Sequence, residues 1–111
     1  MKDRCTMQYY EMLVSALEQY FAGQKDWKSY FTEGGCYWFA SRVCENTPGA
    51  YLMVDRGGEH CAVSIGAGVY DIGGKVCRKH FHPASEHEVA FMQKHYVPQF
   101  DTMRIEAYLQ S

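Results

Sequence analysis

The stretch EGGCYWFASRV, residues 33–43, places two glycines directly before a cysteine and then an aromatic, apolar segment. Apolar residues recur at helical spacing after the cysteine, so the segment predicts a helix from about Cys36 to Glu45. The turn-forming residues NTPG at 46–49 end it. A thiol at a helix start has two interpretations. Cys36 is either a small core residue or a nucleophile whose thiolate the helix N-terminus stabilises.

Three further segments carry helical signals. Apolar residues recur every three or four positions from Thr6 to Ala22, which is typical of one face of an amphipathic helix. Ser85 and Glu88 have the spacing of a capping box before VAFMQKHY at 89–96. The residues DTMRIEAYLQS at 101–111 predict a fourth helix.

The middle of the chain predicts a small antiparallel sheet. AYLMVD at 50–55, HCAVSI at 60–65 and VYDI at 69–72 read as strands, and the intervening GAG at 66–68 indicates a hairpin. We expect helices packed on both sides of this sheet. The fold class is therefore α+β, with a single domain over residues 1–111.

The hairpin decides whether His60 and Asp71 are neighbours. If Gly66-Ala67 is a two-residue loop, Ala62 pairs with Asp71 and alternation places His60 on the same face. His60 and Asp71 are then diagonal neighbours at roughly 7–8 Å between backbones, which their side chains can bridge. A turn shifted by one residue pairs Ser64 with Asp71 instead and takes the carboxylate out of reach.

Cys36, His60 and Asp71 are the residue types of a nucleophilic cysteine site. A nucleophilic thiol needs a base that takes or holds its proton and a third group that orients the imidazole. At a helix start we also expect the backbone N–H of Cys36 to be free to donate to an oxyanion. The alternative stays open, since free cysteine is often buried and an aspartate at a strand end often serves turn chemistry.

Two segments, GGCYWFA at 34–40 and EHCAVSIGAGVYDIGG at 59–74, resemble the core of the transglutaminase-like and papain-like cysteine enzymes. The resemblance covers about residues 33–74. It implies a cysteine at the start of a helix packed on an antiparallel sheet, with histidine and aspartate on neighbouring strands. The implied function is a small cysteine hydrolase or acyl-transferase acting on an amide, isopeptide or thioester bond of a protein or peptide.

Carried over by position, the resemblance assigns Cys36 as nucleophile, His60 as base and Asp71 as orienting acid. The sequence departs from the family pattern, because it offers no clear side chain for an oxyanion hole. The alternative is a catalytically inactive protein of the same fold that binds a protein partner, such as an accessory protein or inhibitor from bacteria or their phages. An enzyme requires Cys36 to be partly exposed beside His60, whereas a binding protein does not.

A second cluster offers metal-ligating residue types at Cys77, His80, His82 and His87. The Cys-x2-His-x-His spacing matches no standard zinc module. We therefore expect a solvated polar loop and neither a metal nor a cofactor.

Composition excludes several classes of protein. With 11 basic and 13 acidic residues the net charge is −2, which provides no basic field for nucleic acid. No segment has the apolar length of a signal peptide or a membrane span. An odd number of irregularly spaced cysteines favours free thiols in a reducing compartment, so we expect a cytoplasmic protein without membrane contact. These cysteines are Cys5, Cys36, Cys44, Cys61 and Cys77.

Aromatic residues surround the glycine pair, and they are either core residues or the floor of an apolar cleft beside the thiol. If several are exposed, they form a patch for a partner instead. They are Trp27, Tyr30, Phe31, Tyr37 and Trp38.

Overall fold

The computed structural model describes residues 6–110 of the chain. The helices in this range confirm the predicted segments, with boundaries that differ by a few residues. They are α1 (Gln8–Tyr20), α2 (Gly35–Glu45), α3 (Glu86–His95) and α4 (Thr102–Gln110). Short 3-10 helices lie at Trp27–Phe31 and Arg78–His80. Within residues 6–110 every helix is too short or too polar to cross a bilayer.

The strands of the described residues form one antiparallel sheet in the order β4-β3-β2-β1-β5. They are β1 (Tyr51–Asp55), β2 (Cys61–Ile65), β3 (Gly68–Asp71), β4 (Gly74–Val76) and β5 (Phe81–Pro83). The α+β class is confirmed. Two edge strands, β4 and β5, were not predicted, and β5 lies in the segment that was expected to be a polar loop.

The hairpin between β2 and β3 has the two-residue loop that the sequence suggested. Val63 pairs with Tyr70 and Ile65 with Gly68, which leaves Gly66-Ala67 as the loop. Gly66 has a φ of +60°, a conformation that glycine adopts at little cost. This register brings His60 and Asp71 to the same end of the sheet.

The main core lies between the helices and one face of the sheet. Each of the four α-helices contributes buried side chains to it, and the strands contribute alternate residues. From the helices these include Leu13, Leu17, Phe39, Val43, Met92 and Ile105, and from the strands Val54, Cys61, Val63 and Ile65. The expectation of helices on both sides of the sheet is therefore wrong.

The opposite face carries only a small apolar cluster, and its members come from strands. Its buried residues in the described chain are Met53, Ala62 and Val69. Ser64 is also fully buried and accepts a hydrogen bond of 2.8 Å from the guanidinium of Arg78. Small side chains and a covering arginine close this face without a second helical layer.

Neighbouring segments approach the glycine pair before Cys36 so closely that a side chain would not fit at either position. Gly34 has helical dihedrals, but a Cβ there would overlap the carbonyl oxygen of Val97. A Cβ on Gly35 would overlap the carbonyl oxygen of Tyr30 and lie 2.7 Å from the ring of Phe100. The glycines thus allow the N-terminus of α2 to pack directly against the connection between α3 and α4.

Candidate active site

His60 and Asp71 meet at the end of the sheet where β2 begins and β3 ends. The Nε2 of His60 lies 2.9 Å from Oδ2 of Asp71, which is hydrogen-bond distance. The two side chains are largely buried, at 19% and 15% exposure. The diagonal contact that the hairpin register permitted is thus formed.

Neighbouring groups hold Asp71 in place. The hydroxyl of Tyr10 donates a 2.5 Å hydrogen bond to the backbone carbonyl of Asp71. The backbone N–H of Gly73 donates to the other carboxylate oxygen, Oδ1, at 2.8 Å. Burial, together with the charge of Asp71, raises the pKa of Tyr10 to about 12, so this hydroxyl remains a donor. One carboxylate oxygen of Asp71 is therefore left for His60.

Asp55 positions the backbone of His60, a role that the sequence analysis missed. Its Oδ1 accepts hydrogen bonds from the backbone N–H of Glu59 at 2.7 Å and of His60 at 3.2 Å. The backbone N–H of Asp55 in turn donates to the carbonyl of His60 at 3.0 Å. An aspartate directly before the turn residues RGGE was the available signal, because such side chains often cap turns.

The surroundings of His60 favour its protonated form. The hydrogen bond to Asp71 and the neighbouring Cys36 raise the pKa of His60 to about 9, against the opposing effect of burial. Burial acts to raise the pKa of Asp71, but hydrogen bonds from His60 and Gly73 bring it below its ordinary value. The pair is therefore an imidazolium and a carboxylate near neutral pH.

Cys36 is the second residue of α2 and lies beside His60. Its Sγ accepts a 3.3 Å hydrogen bond from the backbone N–H of Cys61. The other ring nitrogen of His60, Nδ1, is buried and has no hydrogen-bond partner among the described residues. The structure thus brings Cys36, His60 and Asp71 into one region, although Nδ1 of His60 makes no hydrogen bond to the thiol.

Two features of Cys36 differ from the expectations for an enzyme. Its backbone N–H donates to the carbonyl of Glu33 at 3.2 Å, so the expectation of a free oxyanion donor there is wrong. The reason is that residues 32–34 form a turn that continues directly into α2, and the carbonyl of Glu33 in this turn accepts from the N–H of Cys36. The side chain of Cys36 is also only 1% exposed.

A cavity of about 350 Å³ lies next to these residues. Its walls include residues that shortly precede Cys36 and His60 in the chain. Its lining includes Tyr96, whose hydroxyl donates a 2.8 Å hydrogen bond to the carbonyl of Gly58. Burial, with the nearby acidic groups of Cys36 and Asp55, raises the pKa of Tyr96 to about 12. Tyr96 thus lies beside the turn that leads into His60, and nothing in the sequence pattern indicated it.

The second cluster of candidate ligands is dispersed. His82 makes a 2.7 Å contact with Glu88, and Cys77 is exposed. Over residues 6–110, His, Cys, Asp and Glu side chains form no group of three or more that could hold a metal ion.

The cysteines of the described range are free thiols. Cys36 and Cys61 are buried, Cys44 is half-buried and Cys77 is exposed. Cys61 is part of the main core. Cys5 lies outside the described residues.

The aromatic residues around the glycine pair belong to the core. Phe31 is buried, and the other four are partly buried and pack against it or its neighbours. The ring of Phe100 joins them, with its centroid 4.8 Å from that of Phe31 and 5.4 Å from that of Trp38. They therefore pack the molecule rather than form an exposed patch.

Comparison with known families gives one result. The profile of the phage YunG-like protein family matches residues 13–110, which is most of the chain. The chain belongs to the phage YunG-like protein family. No curated protein and no solved structure matches it. The matched range includes Cys36, His60 and Asp71, and also Asp55 and Gly73, whereas Tyr10 lies before it.

Proposed function

We propose that this member of the phage YunG-like family is a small cysteine hydrolase or acyl-transferase with a papain-like or transglutaminase-like site. The observation that carries the proposal is the 2.9 Å contact between Nε2 of His60 and Oδ2 of Asp71, with Cys36 beside the same ring. A cysteine at a helix start, an imidazole and a buried carboxylate are the groups that thiol-based acyl transfer needs.

The proposed reaction begins from a thiolate and an imidazolium. Sγ of Cys36 attacks the carbonyl carbon of an amide, isopeptide or thioester, and Nδ1 of His60 gives its proton to the leaving group. This yields an acyl-enzyme through the new S–C bond and leaves His60 neutral. Nδ1 then accepts a proton from water or an acceptor amine, whose oxygen or nitrogen attacks the acyl carbon and releases Cys36. Asp71 holds the ring throughout and offsets its positive charge.

The groups around Cys36 support its role as a thiolate. The N–H of Cys61 points at Sγ, and the start of α2 adds the positive end of a helix dipole. The high pKa of His60 supports a cation next to the sulfur near neutral pH.

The proposed substrate is a protein or peptide, and the proposed location is the cytoplasm. Free cysteines are typical of proteins in a reducing compartment. The net charge of −2 argues against nucleic acid as the substrate.

The second candidate is a catalytically inactive member of the family that binds a protein partner as an accessory protein or inhibitor. The observation that favours it is the near-complete burial of Cys36, together with the backbone N–H that is already bonded to Glu33. In that case the Cys36, His60 and Asp71 contacts serve only to stabilise the fold.

Thiol reactivity distinguishes the two candidates without a known substrate. Alkylation by iodoacetamide at pH 6 is followed by peptide mass mapping, with exposed Cys77 as the reference thiol in the same molecule. We expect Cys36 to react fastest in the wild type, more slowly in Asp71→Asn, and slowest in His60→Ala, which removes the cation itself. Equal Cys36 reactivity in all three proteins would refute the enzyme and leave the binding protein.

A further inference from the structure

The connection between α3 and α4, residues 96–101, lies over the start of α2. It contains neither helix nor strand. The carbonyl of Val97 sits against Gly34 and the ring of Phe100 against Gly35, the two residues before Cys36. A segment that is distant in the chain therefore packs on the two residues that lead into Cys36.

The two ends of this connection are held differently. Phe100 is anchored among the aromatic rings of the core, including Phe31 and Trp38. The other end is held by the hydrogen bond from the hydroxyl of Tyr96 to the carbonyl of Gly58, by a backbone hydrogen bond of Tyr96 to α3 and by packing of the Tyr96 ring on the core. Between them, the side chain of Val97 is 66% exposed and adds little packing. Of these contacts, the hydrogen bond between Tyr96 and Gly58 is the one that joins the segment to the turn before His60, so its loss is expected to favour local opening.

Tyr96 also bridges the elements that carry the site. It follows α3 directly, and its hydroxyl reaches the turn that leads into His60. The cavity beside the site is lined on one side by Glu33 and Gly34, before Cys36, and on the other by Gly58 and Glu59, before His60. Tyr96 thus closes the space between the segments that lead to the thiol and to the imidazole.

We propose that residues 96–101 form a strap over Cys36, latched by the Tyr96 hydroxyl on Gly58, and that the thiol becomes accessible only when this latch opens. The proposal rests on the proposed function in one respect: in an enzyme, the opening of the strap would allow the substrate to reach Sγ. The proposal explains how Cys36 could react although it is only 1% exposed in the closed structure. Access then depends on an opening equilibrium rather than on a permanent channel.

The test measures Cys36 alkylation at constant pH, relative to exposed Cys77, in the wild type and in Tyr96→Phe. When a buried thiol reacts through an open state, its rate scales with the population of that state. Loss of one hydrogen bond is expected to raise the Cys36 rate about threefold to tenfold, which corresponds to about 0.7–1.4 kcal/mol. The matched control is Tyr9→Phe, which removes a hydroxyl bonded to Arg42 at 3.0 Å, and it is expected to leave the rate unchanged.

A second variant tests the strap independently of the Tyr96 ring. Val97→Gly leaves the carbonyl that contacts Gly34 in place but increases the backbone freedom of the strap, so it is expected to raise the Cys36 rate about twofold or more. Circular dichroism establishes that each variant is folded. An unchanged Cys36 rate in both variants overturns the strap, as does an equal acceleration in Tyr9→Phe.

The outcomes also separate the strap from the proposed function. Cys36 labelling that responds to Tyr96→Phe but not to His60→Ala or Asp71→Asn retains the strap and refutes the enzyme. The reverse pattern retains the enzyme and refutes the strap.

Discussion

Replacement of Asp71 by Asn tests the electrostatics of the site directly. Asn has nearly the same volume and keeps an oxygen that can accept from the N–H of Gly73, but it lacks the negative charge. The hydrogen bond to Asp71 is the main reason that the pKa of His60 rises from 6.5 to about 9. An opposite charge at this range is worth about 1–3 pKa units, and Cys36 still contributes in the variant. We therefore expect the pKa of His60 to fall to between about 6 and 8.

The same substitution has a stability effect with a defined pH range. The folded pKa of His60 lies above the unfolded value, so its contribution is complete below pH 6.5 and is lost as pH rises through about 9. The pKa of Asp71 lies below its usual value, so its contribution is present above about pH 4 and is lost as pH falls through the folded value. The loss in Asp71→Asn is therefore greatest between about pH 4 and 6.5 and small above about pH 9.

The size of the loss follows from the pKa of His60. A rise from 6.5 to about 9, at about 1.36 kcal/mol per pKa unit, sets an upper limit of about 3 kcal/mol. Because Cys36 provides part of the rise and the pair is not completely buried, we expect about 1–2 kcal/mol at pH 5.5.

Two measurements check this prediction. NMR titration of the His60 imidazole gives its pKa, and urea denaturation at pH 5.5 and 9.5 gives the free energy of unfolding. Asp26→Asn is the matched control, since it makes the same charge change at an exposed position before the 3-10 helix at Trp27–Phe31. A His60 pKa that stays near 9 in Asp71→Asn would refute the ion pair as its cause.

Two further predictions concern packing and metal. Gly34→Ala introduces a Cβ that overlaps the carbonyl of Val97, so we expect a loss of about 1–3 kcal/mol and a melting temperature lower by several degrees. Gly57→Ala, where a Cβ meets nothing within 4 Å, should change stability by less than about 0.5 kcal/mol, and equal losses would contradict the close approach. A chelator is expected to leave the melting temperature unchanged, because His82 already pairs with Glu88 and the apolar core accounts for folding. Stoichiometric zinc in protein purified without added metal would contradict that prediction.

Local signals in the sequence were sufficient for the helices and for the central hairpin. The capping box of Ser85 and Glu88 forms as predicted, with both reciprocal hydrogen bonds. The Gly66-Ala67 loop determines the register, and the register makes contact between His60 and Asp71 possible. These features depend on residues that are close in the chain, where spacing and turn chemistry are informative.

Features that depend on distant residues could not be predicted in this way. Strands β4 and β5 have three residues each, too few for an alternating pattern, and are held by pairing with β3 and β1. The residues of β2 are buried on both faces, so their sequence did not indicate which face the helices cover. Cys36 packs in the core with residues far along the chain, and the contact of Val97 with Gly34 also joins distant residues.

The contact between the glycine pair and the strap has a consequence for biosynthesis. Translation produces α2 and the β2–β3 hairpin well before Tyr96 and Phe100, because the chain is made from its N-terminus. During that interval the ribosome-bound chain contains both α2 and the hairpin, but it lacks residues 96–101, the strap proposed to cover Cys36. The nascent protein therefore carries an uncovered thiol until its C-terminal helices emerge, and the reducing power of the cell is what protects that thiol from oxidation at this stage.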